Sequence, residues 1–219
     1  MIKAVVFDMD GIMFDTEKVC QMSWDTVGEQ MGIGKAGYMV YKTLGMTAEA
    51  AIKILQNEFG ENFDAKEFKK RGRECSYKYF NDFGVPEKPY LHETLEALKA
   101  DGYKLAVASS TSSDSVFHHL NEKNIAHYFD KVICGDMIKN SKPAPDIYLK
   151  ACEELGEKAE ECVAVEDSKN GILSARGAKM NVIMIPDLWQ GDKETDKKLL
   201  AKLNNLGEIS PILKQNENK

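Results

Sequence analysis

The chain has 219 residues, 43% hydrophobic and 29% charged, a balance that excludes a disordered or fibrous protein and fits one large globular domain or one domain carrying an insertion. Its net charge of −6 supplies no electrostatic attraction to nucleic acid or to an anionic membrane, and no apolar run approaches the roughly 20 residues of a membrane span. The five cysteines, Cys20, Cys75, Cys134, Cys152 and Cys162, are odd in number and scattered, which suggests neither a disulfide framework nor a zinc site. With an opening apolar run that reads as a core strand rather than a leader, a reducing, cytoplasmic home and a monomeric state are expected.

In chain order, Ile2 to Phe7 is rich in β-branched and apolar residues and predicts a buried strand. After Gly11, the spacing of Val19, Met22, Trp24, Val27 and Met31 predicts a helix over 17–31, with Asp15 or Thr16 as its cap. A long stretch without strand character follows, with helical patterns over 38–44, 47–59 and 64–83. The segment from Gly84 to Pro89, with two prolines, reads as a return linker. From there helix and strand alternate: helix 92–100, strand 104–108, helix 113–123, strand 132–134, helix 145–155, strand 162–165, helix 170–177 and strand 182–185. A closing helix is predicted over 194–213, followed by a polar tail.

This order predicts an α/β fold: a doubly wound, Rossmann-like parallel-sheet core over 1–15 and 85–219, with an all-helical cap domain over 16–84 inserted in the first crossover. Such an insert is expected above the carboxyl end of the first strand, where it would serve as a lid.

Four polar stations sit just past four apolar runs: Asp8-Met9-Asp10-Gly11, Ser109, Lys142 and Glu166-Asp167. Ligands of doubly wound sheets gather beyond the carboxyl ends of the strands, so these groups are expected to converge. Asp8 and Asp10, two apart, project to one side while the chain stays extended. One carboxylate can attack phosphorus and a second carboxyl can exchange the proton of the leaving oxygen, which gives Asp8 as nucleophile and Asp10 as acid/base. Asp8, Asp167 and the nearby Glu166 offer the oxygen ligands that magnesium prefers. Ser109 and the following backbone N–H groups, Ser110 included, can bind phosphoryl oxygens, and Lys142 can offset the charge.

Each station has a plainer explanation when taken alone. Asp-x-Asp-Gly suits a solvated turn, Ser109 a capping segment, Lys142 a solvated lysine, and Glu166-Asp167-Ser168 a helix cap. These separate explanations do not account for four placements at once. His118 and His119, adjacent on one helix, are expected to point apart and not to share a metal.

The order Asp-x-Asp-Gly-x-x-x-Asp-Thr (Asp8 to Thr16), Ser109, Lys142-Pro143-x-Pro145-Asp146 and Glu166-Asp167-Ser168-x-Asn170-Gly171 resembles the haloacid dehalogenase superfamily, in its branch with a helical cap. The resemblance implies a magnesium-dependent phosphotransferase acting on a small phosphorylated metabolite such as a sugar phosphate or nucleoside monophosphate. Asp8 would be the nucleophile, Asp10 the acid/base and a backbone-carbonyl metal ligand. Ser109 and Lys142 would lie on the phosphoryl group, and Asp167 on the metal. The second aspartate, Asp10, argues against dehalogenation. Similar beta-phosphoglucomutases carry a histidine where Cys20 stands and an arginine where Ala48 stands in Gly45-Met46-Thr47-Ala48, so hydrolysis is expected, with a phosphomutase as the alternative and a phosphonate hydrolase or a non-catalytic binding protein ranked below it.

Overall fold

The computed structural model describes residues 1–43 and 48–217, so the segment Gly45-Met46-Thr47 and the side chain of Ala48 lie outside the described residues. In chain order the elements are β1 (Ala4–Phe7), α1 (Thr16–Gln30), α2 (Met39–Thr43), α3 (Ala48–Phe59), α4 (Ala65–Phe83), α5 (Leu91–Ala100), β2 (Lys104–Ser109) and α6 (Ser113–Glu122). They continue with β3 (Lys131–Cys134), α7 (Asp146–Leu155), β4 (Cys162–Glu166), α8 (Lys169–Gly177), β5 (Asn181–Met184), α9 (Lys193–Asp196), β6 (Ala201–Lys202) and α10 (Ile209–Glu217). None of the helices among the described residues is long and apolar enough to cross a membrane.

Among the described residues the six strands form one parallel sheet in the order β3-β2-β1-β4-β5-β6. This is the doubly wound order, and the winding reverses at β1, between β2 and β4. Every residue of β1 is fully buried, as a near-continuous apolar run in a parallel sheet demands. Alternate positions, Ala4, Val6, Ala106, Ala108, Ala164 and Val182, pack with Ile147, Tyr148 and Ala151 of α7 and Ile172 and Ala175 of α8. Phe7, which points the other way, meets Phe129 edge-on at 6.3 Å. Truncating a ring buried to this degree costs about 3–5 kcal/mol.

The chain divides into two compact units, Met1–Phe14 with Glu87–Lys219, and Asp15–Pro86. Among the described residues the regular elements of the second unit are all helices, with α1 against α4 as its main pairing. Trp24 meets Phe68 edge-on at 5.1 Å, and Gly72 leaves the indole its room, since a Cβ there would lie 2.9 Å from it. Asp64 caps α4 by accepting from the Glu67 N–H at 3.0 Å. Asp15 occupies the cap position of α1 but makes no side-chain capping bond; its carboxylate pairs with Lys18 instead.

The single closing helix predicted over 194–213 is not found. Asp192 caps the four-residue α9, after which the Leu200 and Leu203 N–H groups donate to the Val182 and Met184 carbonyls. This pairing makes β6 an edge strand on β5, satisfying the open edge of β5 in a way that apolar spacing alone does not announce. Asn204 and Asn205 then interrupt the chain, with Asn205 accepting from the Gly207 N–H, before α10 begins.

Candidate active site

The loop after β1 is built to turn at once. The Asp8 N–H donates to Val165, continuing the β1–β4 pairing by one bond, and Met13 and Phe14 both donate to the Met9 carbonyl. Met9, Ile12, Met13 and Phe14 are all buried, so the loop is anchored by its own apolar side chains. Gly11 is at φ +80°, and a Cβ there would lie 2.3 Å from the Asp167 carboxylate. The missing side chain therefore lets the β1 and β4 loops close on each other.

Asp8 is 8% exposed, Asp167 2% and Glu166 0%. Each of these three residues places a carboxylate oxygen within 4.8 Å of the others. Lys142 reaches this group from the loop before α7 and spends its three protons there. It donates to Asp8 Oδ1 at 2.6 Å, Glu166 Oε1 at 2.7 Å and the Ala108 carbonyl at 3.1 Å. Burial works against the ammonium, but the Asp8 and Glu166 carboxylates outweigh it and raise its pKa, so Lys142 stays charged. Asp8 is pushed up to about 7 by burial, with Glu166 and Asp10 adding to the rise and Lys142 opposing it.

Glu166 is held from both oxygens. Oε1 accepts from Lys142 and, at 2.7 Å, from the Tyr148 hydroxyl; Oε2 accepts from the Asp167 and Ser168 N–H groups and from Ser168 Oγ at 3.1 Å. Gly171 makes this possible, since a Cβ at that position would fall 1.8 Å from the carboxylate. Ser168 also caps α8 through the Gly171 N–H.

The two aspartates of the first station take different partners. Asp8 faces Lys142, whereas the Asp10 carboxylate accepts from Thr111 Oγ1 at 2.9 Å and lies 3.5 Å from Ser109 Oγ. The Asp10 side chain is thus not one of the three clustered carboxylates. Ser109, fully buried, also accepts from the Thr111 N–H at 3.1 Å, and Ser110 is exposed beside it.

Two participants lie outside the stations read from the sequence. Tyr148 lies on the buried face of α7 with its ring 5.0 Å from the Lys142 ammonium. A tyrosine in a stripe otherwise made of Ile147, Ala151, Cys152 and Leu155 signals a hydroxyl that needs a buried partner. Thr111, within a hydroxyl-rich run, gave no comparable signal. Elsewhere His118, His119 and Glu122 bring ligand-type atoms within 4.8 Å of one another, unlike the divergent arrangement expected. Their setting is a surface pair and a buried ring: His118 faces Glu122, while His119 packs edge-on against Phe14, and burial lowers its pKa.

The family model described as haloacid dehalogenase-like hydrolase matches residues 5–185. The chain is 33% identical over 177 residues to a phosphorylated carbohydrates phosphatase of Thermotoga maritima, covering 81% of this chain and 82% of that one. It is 32% identical over 181 residues to a phosphoglycolate phosphatase of Aquifex aeolicus, covering 81% of each. A crystal structure from Thermotoga maritima, provisionally assigned as a beta-phosphoglucomutase, superposes with a TM-score of 0.78 at 30% identity, covering 98% of this chain and 99% of that one. On the extent of the family match and the two-sided coverage of these relatives, the chain belongs to the haloacid dehalogenase-like hydrolase family.

Proposed function

We propose that the protein is a magnesium-dependent phosphatase that hydrolyses a small phosphate monoester, a sugar phosphate or nucleoside monophosphate, through a phosphorylated Asp8. The observation that carries this reading is Lys142, a buried ammonium joining Asp8 to Glu166 at the ends of β1, β2 and β4. An oxygen of Asp8 attacks phosphorus while the bond to the leaving oxygen breaks, and Asp10 supplies the proton to that oxygen. Water then attacks the same phosphorus, Asp10 takes its proton, the bond to Asp8 breaks and inorganic phosphate leaves. Lys142 balances charge on the nucleophile and the phosphoryl group, and Ser109 with the N–H groups at the start of α6 accommodates the phosphoryl oxygens.

The all-oxygen donor set of Asp8 and Asp167, brought together by a glycine where a Cβ would collide, fits a hard divalent cation. A bound magnesium ion would supply positive charge that keeps Asp8 ionised and offsets charge on the phosphoryl group. Glu166, with Lys142, Tyr148 and Ser168 already on its oxygens, acts on this reading mainly as the partner of Lys142.

Asp8→Asn is expected to abolish phosphate release from an aryl phosphate while leaving the melting temperature near that of the parent; persistent turnover rejects the assignment. Product analysis with sugar phosphates separates hydrolysis, which yields inorganic phosphate, from a mutase, which yields an isomer without net release. A panel of sugar phosphates and nucleotides, assayed with and without magnesium, identifies the substrate class.

A further inference from the structure

Thr111 occupies the loop between β2 and α6, and its hydroxyl bonds the Asp10 carboxylate more closely than Ser109 does, at 2.9 Å against 3.5 Å. Its backbone is fixed from both sides. The Thr111 N–H donates to Ser109 Oγ at 3.1 Å, and the Thr111 carbonyl accepts from the Gly135 N–H at 3.0 Å. Gly135 follows β3 directly and comes this close because it lacks a side chain: a Cβ there would lie 2.2 Å from the Ser110 carbonyl oxygen. Two residues on, Ser113 holds the same β3 end by donating Oγ to Asp136 at 2.7 Å. The ends of two neighbouring strands thus clamp the residue, and β-branching restricts its χ1, so the direction of the hydroxyl is set by the sheet.

We propose that Thr111 is a positioning residue for Asp10, its hydroxyl holding the carboxyl beside Ser109 in the orientation needed to serve the leaving oxygen. The proposal rests on the acid/base role given to Asp10 above. Thr111 touches Asp10, not the reacting atoms. Its contribution is therefore confined to the step in which Asp10 assists departure, and it should scale with how much assistance the leaving group requires.

The test is a series of phosphate monoesters graded from good aryl to poor alkyl leaving groups, with kcat/KM reporting the transfer to Asp8. Thr111→Val keeps the shape and removes the hydroxyl; Thr111→Ser keeps the hydroxyl. For poor leaving groups Thr111→Val is expected to lower kcat/KM roughly tenfold, the scale of one lost hydrogen bond to a charged group. With the best leaving groups it should approach the parent, with KM little changed, and Thr111→Ser should restore most of the loss. Asp10→Asn, run in parallel, should show the same dependence more steeply. A loss equal across the series in Thr111→Val, no loss, or a Thr111→Ser variant no better than the valine overturns the role of Thr111 while a steep Asp10→Asn profile leaves the phosphatase reading standing. A flat Asp10→Asn profile overturns the acid role itself and the proposal with it. Should the valine variant fail to fold, Thr111→Ala removes the hydroxyl without adding volume and is held to the same outcomes.

Discussion

Gly11 and Gly171 leave room, by lacking a Cβ, for the Asp167 and Glu166 carboxylates. At Gly171 a Cβ would sit 1.8 Å from Glu166 Oε1, inside its covalent neighbours' territory, so the carboxylate would have to leave its five donors. Gly171→Ala is therefore expected to lower kcat at least tenfold and to destabilise the chain by about 3 kcal/mol, the scale for disturbing a buried, hydrogen-bonded charge. Activity and melting measurements near parental values would show that Glu166 can move freely. Asp8 makes a second prediction at this scale. Burial raises it to about 7, so between its unfolded value near 4 and about 7 the metal-free folded chain holds a proton that the unfolded chain has released. The stability linked to that proton is complete below about pH 4 and is lost as the pH rises through about 7. A cation that favours ionised Asp8 must expel the same proton, so magnesium affinity should climb with pH and level off above about 7. Calorimetric titration showing pH-independent affinity and no proton release would contradict this.

Among the elements, the alternation of helix and strand after Tyr90 was legible because buried parallel strands are continuous apolar runs and the helices between them keep a 3.6-residue stripe. The segment after Ile185 was not, because apolar positions such as Leu199, Leu200 and Leu203 fit a helical stripe as well as they fit an edge strand. The choice was made by the open backbone groups of β5, which the sequence of 194–213 does not contain. A helix is also only as firm as its packing. In the second unit, Trp24 links α1 to α4 through Phe68, and it is 6% exposed. Trp24→Ala should destabilise by about 3–5 kcal/mol, whereas Asp64→Ala, which removes only the α4 cap, should cost about 1 kcal/mol. Denaturant titration of both variants checks the ranking; equal losses would mean that packing is not what secures α4.

Across the whole molecule, residues from four separate stretches of chain meet at the carboxyl ends of β1, β2 and β4 because the sheet reverses its winding there. The sequence made that convergence readable in Asp8, Glu166 and Asp167, at or just past the end of an apolar run, and in Lys142, in the loop that follows β3. It did not make readable which way each side chain turns. Asp8 and Asp10, expected to project together, take different partners: Lys142 donates to Asp8, and Thr111 donates to the carboxylate of Asp10. Tyr148 joins the site only through a neighbouring helix face, a relation of packing and not of motif. The account stands on a phosphoryl group passing through Asp8. Acid quenching of the protein during turnover of a labelled phosphate monoester, followed by peptide mapping, tests this most directly. The prediction is an alkali-labile label on the peptide carrying Asp8, absent from Asp8→Asn; steady turnover with no label there, or with the label on another residue, would contradict it.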